Sequence, residues 1–481
     1  MRNLKNIFVL LCVLCVSVVN IFAQEQPPAP GAPKSVSVPA VQERKLSNGL
    51  TVATIQRTGV PLVTIQLLVK SGASAEDASK AGLADITASM LTKGTKTKSA
   101  TQIAEAIEFL GGSINSGAGW NSSFVSVTVT SDKVNQALAI MADVVLNPKF
   151  NQKELDLLKS QTLDGLTFSL KQPSSLANYV ASKYSFGEHP AGGTPDSVAK
   201  TGRDEIVAFY NANFMADNAV LVFTGDITPE LSASMTQRAF GGWKGGFGES
   251  ISEKSAKPPK ERESRGILVI DLPKSGQAAV TYAKSLTTVG RKSGSYYSAQ
   301  VLNSVLGGGY SSRLNYEIRI KRGLSYGAGS SFAWRSSKSN FGTRIQTKTQ
   351  SAAEVLELVL AELKKLSDSS VASDELVPRK SVLTGNFGRN LETTGGLAGA
   401  IGDLYAFGIP TAELNAYVAN VNGVTEAQIK DFAKQNLMGG DIIIVGDYSD
   451  FKDDLAKRFP NMRVDVIKAA DLDLSKDSLR K

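Results

Sequence analysis

Histidine is almost missing from this chain: 481 residues hold one, His189. A zinc site gripped by paired imidazoles is therefore excluded, as is any catalytic set that needs two histidines. His189 lies in the turn Phe186-Gly187-Glu188-His189-Pro190-Ala191-Gly192 and reads as a locally hydrogen-bonded loop residue. Cysteine is scarce too, with Cys12 and Cys15 both inside the first 23 residues. Neither follows the small-residue pattern of a lipoprotein attachment site. Once that segment is removed, no disulfide and no thiolate ligand remains. No cluster of like charge exists: the net charge is +8, or +6 without Arg2 and Lys5, and the cations are scattered. That pattern argues against nucleic-acid binding.

What is present fits an ordinary globular protein, with 42% hydrophobic and 20% charged residues and a length implying more than one domain. Residues 1–23 read as a secretory leader: Arg2 and Lys5 form a basic start, 7–19 is apolar, and Ala23-Gln24 offers a cleavage point. A retained anchor competes with this, but the apolar run is short and a Pro-rich spacer, 24–40, follows. The expected location is secreted or periplasmic. A charged, Pro-containing stretch at 249–263 reads as a linker between a domain at 41–248 and another at 264–470, with a charged tail at 471–481.

The two domains end alike. A helix at 205–214 and a strand at 218–223 precede Thr224-Gly225-Asp226; a helix at 426–437 and a strand at 441–445 precede Gly446-Asp447. A recurrence after about 220 residues is a duplication, not a solenoid. Strands are expected at 62–69, 124–129, 267–271 and 278–283 from β-branched composition, the second alternating strictly. Helical spacing marks 104–110, 134–146, 300–306, 353–366 and 375–383, with Asp132 as the cap of the second and Asn147-Pro148 as its stop. Mixed strands and long helices predict an α+β fold whose sheets are covered on one face.

Two segments carry chemical information. The first is Gly82-Leu83-Ala84-Asp85-Ile86-Thr87-Ala88-Ser89-Met90-Leu91-Thr92-Lys93-Gly94-Thr95. The second begins Gly307-Gly308-Gly309-Tyr310 and runs through Arg319 to Tyr326. Its three glycines permit a plain turn between helices or a close approach of an extended ligand to the main chain, and both remain open. Nothing there matches a phosphate-binding loop.

The first segment resembles the inverted zinc helix of the insulinase-like, pitrilysin-type (inverzincin) peptidase family, in its mitochondrial processing peptidase-like branch. The family pattern is G-L-A-H-x-x-E-H-M-L-x-K-G-T. Histidines at i and i+4 share a helix face and grip one zinc, while the glutamate activates its water. Here those positions are Asp85, Ala88 and Ser89. Further matches are Asn48-Gly49-Leu50, Gly187-Glu188-His189-Pro190, Pro273-Lys274-Ser275-Gly276-Gln277 and the segment from Gly307 to Tyr326.

The resemblance implies two homologous domains, each an antiparallel sheet flanked by helices, forming half of a clam-shell that admits unfolded peptides. The family's third ligand would fall at 164–166, where Gly165 stands beside Asp164. The chain is therefore similar to the zinc-less subunits of the family, with no metal of its own. The resemblance assigns substrate binding to Gly307, Gly308 and Gly309, and gives Arg319 and Tyr326 to stabilisation of the substrate oxyanion in trans. Zinc is expected in a homologous partner with an intact H-x-x-E-H, the pair forming a heterodimeric endopeptidase. The alternative is a structural or peptide-holding protein of the same fold without a peptidase partner.

Overall fold

The computed structural model describes residues 37–246 and 266–481. The expected leader, the expected linker and positions 24–36 of the spacer lie outside the described residues. No helix among the described residues is long and apolar enough to cross a membrane.

Two sheets of six strands organise the chain. The first holds β1 (Gln42–Lys45), β2 (Thr51–Gln56), β3 (Leu62–Val69), β4 (Ser113–Ala118), β5 (Ser123–Thr130) and β6 (Ala219–Gly225), in the order β1-β2-β6-β3-β5-β4. The second holds β7 (Ile267–Asp271), β8 (Gln277–Leu286), β9 (Ser325–Trp334), β10 (Ser339–Lys348), β11 (Asp441–Gly446) and β12 (Val464–Lys468), in the order β12-β7-β11-β8-β10-β9. From β2 and β7 onward the two orders correspond strand for strand, which is the duplication legible in the sequence.

The sheets are mixed rather than wholly antiparallel. β2 runs parallel to β6, and β7 parallel to both β11 and β12. The chain returns to each sheet centre only after a long helical excursion, and such crossovers deliver parallel neighbours. The recurring Gly-Asp closes this central strand in both sheets. Gly225 sits at φ +126°, and a Cβ there would come within 2.0 Å of the Leu62 carbonyl.

Among the helices of the first half are α1 (Leu83–Met90), α2 (Ala100–Phe109), α3 (Val134–Leu146), α4 (Gln152–Ser169), α5 (Pro173–Tyr184), α6 (Arg203–Asn213) and α7 (Pro229–Phe240). Among those of the second are α8 (Tyr296–Leu306), α9 (Ala352–Asp368), α10 (Ser373–Glu392), α11 (Thr394–Phe407), α12 (Glu413–Gly423) and α13 (Glu426–Phe432). Asp132 does not cap α3: it lies in a 3₁₀ turn before it, accepting a hydrogen bond from Thr130, and Lys133 occupies the cap position.

Both sheets are covered on two faces, not one. Val52, Val63, Ile65, Leu67 and Phe223 pack against the first half's own helices. The opposite face of that sheet, Ala53, Ile55, Val220 and Val222, is covered by Leu397, Ala398, Ile401 and Leu404 of α11 from the second half. The exchange is reciprocal. Leu176, Ala177, Val180 and Ala181 of α5 cover Leu268, Ile270, Ala279 and Val445 on the back of the second sheet. Double coverage explains why β6 and β11 read as unbroken apolar runs, every residue buried, instead of alternating. Thr394, at the start of α11, is fastened by Thr64 Oγ1 at 2.8 Å and by Thr224 Oγ1, which donates to its carbonyl at 2.7 Å.

The two ends of the described chain are also docked. Val38 exchanges hydrogen bonds with the Asn415 side chain, at 2.8 and 2.9 Å. Residues 471–481, read from sequence as a charged tail, fold back: Leu479 is buried with α5, and Arg480 pairs with Asp465 at 2.7 Å.

Candidate functional site

Helix α1 carries Asp85, Ala88 and Ser89, the positions at which the sequence departs from the zinc pattern it resembles. The buried Glu76 carboxylate caps α1, accepting from the Gly82 and Ala84 amides at 2.8 and 2.6 Å. Asp85, at the first ligand position, accepts from the Ala118 amide at 3.1 Å and so ties the helix to edge strand β4. Burial raises its pKa. Ala88, where the general base would stand, is fully buried and carries no group able to take a proton. Ser89 is half-buried.

The third-ligand position fares no better. Gly165 and Asp164 are exposed on α4, while Leu166 turns into the core. Among the described residues no group of three His, Cys, Asp or Glu side chains is placed to hold a metal ion. The donors present do not fit zinc: one carboxylate engaged with a backbone amide, one hydroxyl and one methyl group.

Arg319 and Tyr326 are brought together by two backbone irregularities. Arg319 lies in a π turn, Tyr316–Ile320, where Lys321 N reaches back to the Tyr316 carbonyl at 2.9 Å. Such turns re-aim side chains and recur at functional sites. Tyr326 lies at a bulge in β9, where Ser325 to Ala328 span the strand opposite only Ile345 to Thr347. The extra residue turns the phenol outward, leaving Tyr326 90% exposed. The Arg319 guanidinium carbon then sits 4.9 Å from the Tyr326 ring centre and 5.1 Å from that of Tyr310. No carboxylate lies within ion-pair distance of Arg319 among the described residues. Two rings hold the cation while its N–H donors remain available, a state arginine favours through its planar, weakly hydrated head.

The three glycines divide. Gly307 is buried against β9, where a Cβ would meet Ser330 N at 2.3 Å, so its role is close packing at the end of α8. Gly308 and Gly309 lie nearer the surface, leading into Tyr310.

His189 is not the isolated loop residue its sequence context suggests. It lies 5.0 Å from the Trp120 ring and 3.8 Å from Glu76 Oε1, and burial lowers its pKa. Its Nδ1 is buried, 3.8 Å from the Glu76 carboxyl and beyond hydrogen-bond distance of it. Its neighbour Glu188 is buried at the junction of the halves and accepts from Arg335 Nη2 at 2.7 Å and Asn340 Nδ2 at 2.8 Å. Lys338 completes the set at 3.1 Å. The Arg335 guanidinium also lies 4.5 Å from the Trp120 ring. Sequence inspection singled out neither this network nor Tyr310. Tyr310 was recoverable, since it directly follows the three glycines; Glu188 and Arg335 stand about 150 residues apart and share no local pattern.

Comparisons with known proteins agree with this architecture. Residues 51–180 match the family model described as insulinase (peptidase family M16), and residues 200–381 match the one described as peptidase M16 inactive domain. An uncharacterized zinc protease of Rickettsia bellii is 29% identical over 388 residues, covering 78% of this chain and 91% of its own. A second, from Bacillus subtilis, is 25% identical over 72% of this chain and 83% of its own. A crystal structure of a peptidase M16 inactive domain from Pseudomonas fluorescens superposes with a TM-score of 0.76 at 25% identity, covering 84% of this chain and 98% of that one. A protease from Helicobacter pylori shares the fold, with a TM-score of 0.77 at 19% identity over 85% of this chain and all of its own.

Proposed function

The chain belongs to the insulinase-like M16 peptidase family, and we propose that within it this protein is a non-catalytic subunit of a heteromeric zinc endopeptidase. The observation that carries this is Arg319, held between two exposed tyrosine rings with no carboxylate within ion-pair distance among the described residues, which also hold no ligand set for a metal. A guanidinium offers five N–H donors and a phenol one O–H donor, and both suit a carbonyl oxygen on which charge is growing. Strand β9 is the last in its sheet, so an extended peptide could lie along it beside Arg319 and Tyr326. In this scheme the homologous partner carries zinc and the H-x-x-E-H helix, and the clam-shell closes on an unfolded peptide. The N-terminal leader would place the pair in the periplasm or outside the cell.

The test uses the mature chain alone and mixed with a homologue bearing an intact H-x-x-E-H, assayed on a flexible peptide. The expected outcome is no cleavage by the chain alone and cleavage by the mixture. Arg319→Ala should lower the mixture's kcat about 100-fold without weakening association. An unchanged rate in the Arg319→Ala mixture would rule out the role in trans. Failure of the two chains to associate would leave a peptide-holding protein of the same fold.

A further inference from the structure

A cavity of about 730 Å³ opens where α8, α10, α11 and α12 meet the loop that carries Asn121. Its size suits a small ligand or a single large side chain. It is remote in sequence from the degenerate metal helix, and neither Arg319 nor Tyr326 lines it.

Its walls are aromatic. Tyr296 and Trp334 contact edge to face at 4.8 Å, and Phe387 stacks on Tyr417 at 4.1 Å. The charged lining groups are Arg291, Glu413 and Asp403. Arg291 and Glu413 satisfy each other: Nη2 lies 3.1 Å from Oε1, Tyr297 donates to the same oxygen at 2.6 Å, and the guanidinium rests 3.8 Å over the Tyr296 ring. Asp403 is left over. It makes no hydrogen bond or ion pair among the described residues, and it lines the cavity as an exposed carboxylate. Desolvation by the surrounding walls raises its pKa, with Arg291 opposing the shift.

The wall helix adds an independent sign. α11 contains four glycines, of which Gly399 and Gly402 stand in its interior, where glycine is about 1 kcal/mol less favourable than alanine. Two have steric reasons: a Cβ on Gly402 would approach the Gln66 amide at 3.2 Å, and one on Gly396 would meet the Asn390 carbonyl at 2.0 Å. Gly395 and Gly399 have none, since a Cβ on either would meet nothing within 4 Å, and both line the cavity. Packing does not require these two glycines, and larger side chains there would take up cavity space.

We propose that this cavity binds an organic cation, a guanidinium or ammonium group, seated among the aromatic rings with Asp403 as its counter-ion. The chemistry follows from the walls: aromatic side chains attract cations, and an unpaired carboxylate lining the same cavity supplies the matching charge. Glycines at 395 and 399 keep the space in which the cation's stem would lie.

The mature full-length chain is titrated calorimetrically with Nα-acetyl-arginine ethyl ester, its uncharged isostere Nα-acetyl-citrulline ethyl ester, and a short unstructured peptide containing one arginine. The expected result is a preference of at least about tenfold for arginine over citrulline ester, lost in Asp403→Asn. Gly399→Leu should abolish binding while leaving the thermal midpoint at or above that of the parent, because leucine favours the helix and only fills the cavity. Binding of the ester identifies a free small cation; binding of the peptide alone identifies a basic side chain of a polypeptide. Equal affinity for the two esters, undiminished binding in Asp403→Asn, or no binding of ester or peptide would overturn the assignment. The readout is binding to one chain rather than cleavage by two, so it stands apart from the role given to Arg319 and Tyr326.

Discussion

Glu188 shows how much a single buried side chain can bear. Its carboxylate is 3% exposed and answers Arg335, Lys338 and Asn340 from the other half of the molecule. Glu188→Ala would strand the Arg335 guanidinium in a buried site, and we expect a loss of about 3–5 kcal/mol in chemical denaturation. Glu188→Gln, which can still accept from Asn340, should lose less. Tyr326→Phe is the opposite case. The ring is almost wholly exposed, so the melting temperature should not move, whereas activity of a reconstituted complex should fall. Arg319 and Tyr326 were visible in the sequence because they stand seven residues apart in a recognisable segment. Their stacking was not, since it depends on a π turn and a strand bulge that no periodicity announces.

Helix α1 is held at its start by one buried carboxyl group. The Glu76 carboxyl that caps it is pushed up to about 8, burial outweighing the Ala84 and Gly82 amides that favour its charged form. The folded state thus prefers the protonated group. The contribution is largest below the unfolded value near 4.5 and declines as pH rises toward 8, by up to roughly 5 kcal/mol. We expect Glu76→Gln to flatten the fall in stability between pH 5 and 8, measured by urea unfolding at each pH. A pH dependence identical to that of the parent would show that another group governs this window. The element bounds themselves were largely readable: β3 and α3 occupy the expected residues, and the helix at 205–214 is α6, Arg203–Asn213. Hydrophobic period and turn residues are local properties, so they survive without tertiary knowledge.

The molecule as a whole is held by an exchange of helices. α11 covers the first sheet and α5 the second, each buried against strands of the other half. Fragments 41–246 and 266–481, expressed separately, should each expose an apolar sheet face, aggregate, and recover native structure when co-refolded; the intact chain should unfold in one calorimetric transition. Ile401→Ala, at a fully buried position of α11, should cost about 2–5 kcal/mol and destabilise both halves together. Two independent transitions would contradict this coupling.

The duplication, the α+β class, the departure from the zinc pattern at Asp85, Ala88 and Ser89 and the spacing of Arg319 and Tyr326 all follow from the amino-acid sequence alone. Each is a matter of residue type at short spacing. The mixed sheets, the second covered face, the Glu188 network and the cavity around Asp403 exist only once distant segments meet. Their physical cause is packing between residues a hundred or more positions apart, and a linear pattern carries no record of which buried face will find which partner.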